Sequence, residues 1–304
     1  MKKRYLVAAA VLFSALLIVA MSLYVLAEVT FPPRRIATIT PQSLLMNSQD
    51  VHFTTSDGLK LAGYYIPGSG GTILLCHDFG SNVGDLLPLA SALNEAGYAV
   101  LMFDFRAHGK SAGRVSTLGA REKLDVSAAL RFLDSRQSPG DRGLLGISMG
   151  GYAGALAAAS ADELKALVLV DPYPDLDSYF SERLRILFHV GKGPLASLMR
   201  DVFAIYTGTT GKGWSLEESL PSLKHKTILF VSSQSTDRSD QFCHRLYDIT
   251  PEPKELAVIK GFHEALTLGA DKKKMETRIL RFFREFLPLD APSTRVIPAK
   301  PESQ

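Results

Sequence analysis

Apolar residues fall along this chain in three patterns, and each predicts a different kind of element. Over residues 5–27 they run almost unbroken and without a charge, which is close to the roughly 20 residues a helix needs to cross a bilayer. Short continuous apolar runs follow at 72–76, 99–103, 143–145, 166–170, 227–231 and 256–259, the pattern of strands buried on both faces. Between them, helical spacing marks 85–96, 121–135, 152–159 and 272–286. Two further runs, 51–55 and 59–66, meet at Asp57-Gly58 and predict a β-hairpin at the start of the sheet. Strand alternating with helix is the rhythm of an α/β fold: a doubly wound, mostly parallel sheet with helices on both faces.

The rhythm breaks between Asp171 and Leu223. Apolar positions recur there at helical spacing through Tyr179, Phe180, Leu184, Leu187 and Phe188, then through Leu195, Leu198, Met199, Val202, Phe203 and Tyr206. Two amphipathic helices are predicted, placed either over the sheet as a cap or onto it as additional core. Residues 289–304, with several prolines and mixed charge, predict a disordered tail.

Composition narrows the function classes. The 304 residues are 46% hydrophobic and carry a net charge of +3, enough for one sizeable core and too mildly basic for a nucleic-acid partner. Two cysteines cannot build a disulfide framework, and Cys76 falls in a strand. Neither a zinc-spaced Cys/His cluster nor a phosphate-binding Gly-x-x-x-x-Gly-Lys motif occurs, so no metal and no cofactor is implied. Lys2, Lys3 and Arg4 precede the first apolar segment, a bias that favours a cytoplasmic N-terminus with the remaining chain across the membrane. Residues 1–28 are therefore expected as a signal-anchor, with 29–49 as a linker. Val25-Leu26-Ala27 also suits a signal peptidase, and secretion after cleavage is the alternative.

The candidate chemistry centres on Gly146-Ile147-Ser148-Met149-Gly150, between a strand and an Ala-rich helix. A serine at such a turn needs small residues two before and two after it, because the backbone flanks crowd together. Upstream, the run 72–76 ends in the polar loop His77-Asp78-Phe79-Gly80-Ser81-Asn82; downstream, one strand leads to Asp237 and the next to Gly261-Phe262-His263-Glu264. Asp104-Phe105-Arg106-Ala107-His108-Gly109-Lys110-Ser111 forms a fourth motif.

In the order Ser148, Asp237, His263, and in these four motifs, the chain resembles the α/β-hydrolases over residues 50–288. It is most similar to the membrane-anchored ABHD and serine-aminopeptidase-like groups, whose members are mostly esterases, thioesterases, lipases or peptidases. The resemblance implies an α/β-hydrolase fold with a small helical cap at about 172–223. It further implies Ser148 as nucleophile, His263 as base and Asp237 as the acid that orients it, with Asp240 and Asp171 as rivals for that last role. The N–H groups of Phe79 and Met149 are the expected oxyanion donors. His77 and His108 read as loop supports. Asp78 stands where a glycine of positive φ is common. An apolar cap suggests a small-molecule or lipid-like acyl substrate, cleaved at an ester or thioester. A peptidase, or a membrane-tethered binding protein with impaired catalysis, are the alternatives.

Overall fold

The computed structural model describes residues 2–136, 141–189, 193–210, 214–234, 238–260 and 272–289. Its sheet has eight strands: β1 (Gln49–Thr54), β2 (Lys60–Ile66), β3 (Thr72–Cys76), β4 (Ala99–Phe103), β5 (Arg142–Ile147), β6 (Leu164–Val170), β7 (Thr227–Gln234) and β8 (Lys254–Lys260). They lie in the order β1-β2-β4-β3-β5-β6-β7-β8. The pairs β1–β2 and β2–β4 are antiparallel and every other pair is parallel. β3, β4 and β5 are buried at every position, as their unbroken apolar runs require, whereas the edge strand β1 alternates near its end.

Side chains alternate across the sheet and feed two cores. Leu74 and Cys76 of β3 point to the face covered by α3 (Glu122–Ser135), α4 (Met149–Ala158) and α8 (Ser239–Ile249); Ile73 and Leu75 point to the face covered by α2 (Leu87–Glu95) and α9 (Lys272–Phe286). This is the doubly wound arrangement that the apolar pattern predicts. α9 spans the expected residues, and β4 does too.

The broken rhythm becomes a helical pair over the carboxyl ends of the strands. α5 (Leu176–Phe188) is capped by Asp175, whose carboxylate accepts the Ser178 N–H at 2.7 Å, and α6 (Pro194–Thr207) starts with a proline. They meet through Phe180 and Phe203, edge to face at 5.2 Å between ring centroids. Leu184 and Met199 are buried with them, but Leu198, Val202 and Tyr206, predicted on the same periodicity, are exposed. The short α7 (Leu216–Ser219), whose residues carry no clear periodicity, completes the crossing back to β7.

α1 (Lys2–Thr30) is apolar and exposed over most of its length, but one side of its last two turns is covered. Val25 and Val29 are buried in the same core as the cap, Glu28 pairs with Arg183 of α5, and the Thr30 carbonyl accepts the Ser116 N–H at 2.9 Å. Beyond it, Arg34 donates to the carbonyls of Ser111 and Gly113 at 2.8 and 2.6 Å. The stretch expected as a linker thus begins fastened to the domain. The expected tail, from residue 290 onward, lies outside the described residues.

Candidate active site

Ser148 is the single residue between β5 and α4, with φ 48° and ψ −108°. A non-glycine residue there is strained and persists only if its surroundings hold it. They do: its N–H donates to the Val170 carbonyl of β6 at 2.8 Å. The flanking glycines are required by space, since a Cβ on Gly146 would lie 2.5 Å from the Gly150 carbonyl oxygen and one on Gly150 would lie 2.3 Å from that of Cys76. The turn therefore delivers the Ser148 side chain and the first N–H groups of α4 to one place at the carboxyl edge of the sheet.

The loop after β3 reaches the same place and is braced by two histidines. The buried ring of His77 donates from Nδ1 to the Asp78 carbonyl at 2.7 Å and accepts the Phe105 N–H at Nε2 at 3.0 Å. His108 repeats the pattern, donating to the Arg106 carbonyl at 2.8 Å and accepting the Gly80 N–H at 3.0 Å. An imidazole that accepts a backbone N–H must be neutral, and burial pushes both groups down to about 4. Their loop-supporting role is as expected, and it excludes both as the general base. Arg106 anchors the second loop through a buried ion pair to Asp125 at 2.6 Å and a partly exposed one to Asp57 at 2.8 Å.

The Phe79 and Met149 N–H groups converge on one oxygen. Asp78 Oδ1 accepts from Phe79 at 2.6 Å and from Met149 at 3.2 Å. A carboxylate is a natural occupant of a point served by two backbone donors at a helix N-terminus. The backbone demand expected at Asp78 is absent: positive φ falls instead on Gly80, at 73°. What the sequence reading missed is the Asp78 side chain itself. An acidic residue immediately before one donor and one loop away from the other was the available signal.

A cavity of about 280 Å³ opens above Ser148, walled by Phe79, Asp171, Tyr173, Tyr179 and Ile186. The aromatic wall and Ile186 were not anticipated as pocket residues. Asp171 follows β6 directly, with φ 44°, and its buried carboxylate accepts the Ser233 N–H at 2.8 Å and the Ser233 hydroxyl. Asp240 does not line the cavity; its carboxylate accepts the Gln241 N–H in the first turn of α8. Asp237 and His263 lie outside the described residues. The strands that lead to them do not: β7 and β8 pair in parallel to their ends, Gln234 opposite Lys260. The strand whose apolar run is 227–231 extends further, since the polar Ser232 to Gln234 also belong to β7.

The sheet order, the strained serine turn and the helical pair after β6 define an α/β-hydrolase. A family model described as serine aminopeptidase, S33 matches residues 68–208. The uncharacterized protein Rv2307c of Mycobacterium tuberculosis is 30% identical over 253 residues, covering 80% of this chain and 82% of the relative. The uncharacterized protein YqkD of Bacillus subtilis is 26% identical over 237 residues, 74% and 75% of the two chains. Among solved structures, the Pyrococcus furiosus esterase Pf2001 superposes with a TM-score of 0.69 at 24% identity, over 84% of this chain and 99% of the esterase. Est1E of Butyrivibrio proteoclasticus, solved with ferulic acid, gives 0.61 at 20% identity over 78% and 99%. At these identities the two structures bear on the fold alone. The chain belongs to the serine aminopeptidase S33-like family of the α/β-hydrolase superfamily.

Proposed function

We propose that this protein is a membrane-anchored serine hydrolase that cleaves carboxylic esters or thioesters of an apolar acyl group. Ser148 Oγ attacks the carbonyl carbon while His263 takes its proton, and Asp237 holds the imidazole in the tautomer this requires. The oxyanion of the tetrahedral intermediate accepts from the Phe79 and Met149 N–H groups. His263 then protonates the leaving alcohol or thiol, and water, deprotonated by the same histidine, releases the acid from Ser148. The observation that carries this reading is the convergence of those two N–H groups on a single oxygen beside Ser148. In the resting site that oxygen belongs to Asp78, so the Asp78 side chain must turn aside when substrate enters.

The walls support an apolar substrate, since Phe79, Tyr173, Tyr179 and Ile186 surround the serine. The esterase activity named for Pf2001 agrees with an ester as the scissile group. Of the three candidate acids, Asp237, Asp240 and Asp171, the strand register favours Asp237. Gln234 and Lys260 are paired, and Asp237 and His263 each lie three residues beyond them (237 − 234 and 263 − 260).

The N-terminal helix has the length and composition that fit either an uncleaved anchor or a signal peptide. Its docked end supports the anchor. Cleavage after Ala27 would remove the buried Val25 and cut through the turn that carries Glu28 and Val29. With the N-terminus cytoplasmic, the hydrolase domain faces the opposite compartment.

The experiment is fluorophosphonate labelling of the full chain in membranes. Wild type is expected to label and Ser148→Ala to lose both labelling and ester turnover. Its thermal midpoint should stay nearly unchanged, because no packing is removed. A folded wild type that fails to label would favour the second reading, a tethered binding protein with Asp78 permanently seated on the donors.

A further inference from the structure

The outer face of α6 is apolar where a soluble domain would be polar. Leu198, Val202, Ile205 and Tyr206 are 58%, 42%, 73% and 63% exposed, and their spacing puts them on one stripe of the helix. The opposite side of α6 carries Ala196, Met199 and Phe203, which are buried in the cap. Four large apolar side chains in one exposed stripe mark a surface made for a partner.

What that partner is follows from where the stripe begins. Phe31, the first residue after α1, lies edge-on to Tyr206 with ring centroids 6.4 Å apart. The end of α1 is held by Val25, Val29, the Glu28–Arg183 pair and the Thr30 carbonyl, so α6 cannot drift away from the point where the anchor leaves the bilayer. An apolar stripe with a tyrosine at that depth meets lipid before it meets anything else. The same side holds the pocket mouth. Arg183 and Ile186 of α5 line the cavity, Arg183 is bound to Glu28 of α1, and the Pro33 ring lies 3.7 Å from where a Cβ on Gly80 would stand. The chain leaving the membrane thus passes between the cap and the loop that bears the oxyanion donors.

We infer that the Leu198–Val202–Ile205–Tyr206 face of α6 lies in the interface of the bilayer that α1 crosses, so that the Ser148 cavity opens at the lipid surface and receives acyl esters resident in that bilayer. The inference rests on α1 being an uncleaved anchor, and its substrate clause rests on the hydrolase reading.

The test uses the full chain in phosphatidylcholine vesicles. Cys76 and Cys243 are buried, so an environment-sensitive thiol fluorophore can be directed to Ile205→Cys on α6, Leu12→Cys on α1, or Thr277→Cys on α9. Brominated phosphatidylcholine is expected to quench the labels at Ile205 and Leu12 and to spare the one at Thr277. A label quenched at Leu12 but not at Ile205 overturns the inference while leaving the anchor intact; one unquenched at Leu12 removes the anchor and the inference together. An Ile205 label shielded from lipid but cross-linked to a second copy assigns the stripe to a dimer, which also overturns it. In the activity arm, the Leu198→Asp/Ile205→Asp double variant should lose roughly tenfold or more in turnover of an acyl ester dissolved in the vesicles. Its turnover of p-nitrophenyl acetate in water should be unchanged. An equal loss on both esters counts against the inference, whereas wild type inert on both, with Ile205 quenched, removes the hydrolase reading and keeps the docked face.

Discussion

Asp78 Oδ1 lies 3.2 Å from the Met149 amide nitrogen and accepts the first N–H of α4. With the Phe79 N–H at 2.6 Å it completes a two-donor site already filled by a negative oxygen. On the proposed mechanism a substrate carbonyl must compete with that carboxylate for both donors, and a charge-assisted hydrogen bond is worth about 1.5–3 kcal/mol.

Asp78→Gly should therefore raise kcat/KM on a small water-soluble ester by roughly tenfold, the equivalent of about 1.4 kcal/mol. Asp78→Asn, which keeps an acceptor but loses the charge, should fall between the variant and wild type. Steady-state kinetics on the three proteins decides it. A fall in activity for Asp78→Gly would mean that the side chain assists the reaction rather than opposing it.

The two bracing histidines make the site acid-sensitive. Unfolded, each imidazole takes up a proton near pH 6.5; folded, His77 and His108 do so only near 4, because burial and the accepted N–H bonds favour the neutral ring. The unfolded chain thus binds more protons across that window. Stability is fully present above pH 6.5 and is lost as pH falls towards 4, by up to about 3 kcal/mol per ring. Urea unfolding at pH 7.5 and pH 5 should show the drop, and His108→Gln should show a shallower one. Equal midpoints at the two pH values for wild type would contradict the neutral assignment.

How α1 is trimmed should matter more than whether it is trimmed. Removal of residues 1–22 keeps Val25, Glu28 and Val29, and the product should be soluble, folded and active on a water-soluble ester. Removal of residues 1–30 uncovers the patch that Val25 and Val29 fill and strips Arg183 of its ion-pair partner Glu28. Burying a valine contributes about 1.5–3 kcal/mol, so the shorter chain should melt several degrees lower. Indistinguishable melting curves would return residues 23–30 to the status of a simple tether.

Much of this was legible along the chain because it depends on local pattern. Runs such as 72–76 and 99–103 are apolar at every position because both faces of a central parallel strand are buried, and the structure begins and ends those strands where the runs do. The serine turn was legible through Gly146 and Gly150, whose small size is forced by backbone contacts close in sequence or in the adjacent strand. Other features required tertiary placement. Ser232 to Gln234 are polar and lie beyond the apolar run 227–231, yet pairing with Val258 to Lys260 keeps them in β7. The docking of Val25 and Val29 was hidden inside a segment whose uniform apolarity marks every face alike. Asp78 was read as a backbone substitution, and only the approach of the β3 loop to α4 gives its carboxylate a place.

The acid of the proposed triad is the point on which sequence order and visible geometry pull apart. Of the candidate acids, Asp171, at the end of β6, lines the cavity with Ser148, whereas Asp237 follows the strand that runs alongside the one leading to His263. Asp171 also has a structural duty, since it accepts both the N–H and the hydroxyl of Ser233 and so ties β6 to β7. Replacing the true acid by asparagine preserves size but favours the wrong imidazole tautomer, a change that in a serine protease lowers kcat about 10⁴-fold. Asp237→Asn is expected to show a loss of that order with an unchanged melting point. Asp171→Asn should instead lower the melting point and cost far less in kcat, and Asp240→Asn, at a helix start outside the cavity, should do little to either. Measuring kcat and melting temperature together for all three separates the roles. A crippled but stable Asp171→Asn enzyme beside a near-normal Asp237→Asn would assign the acid to the end of β6.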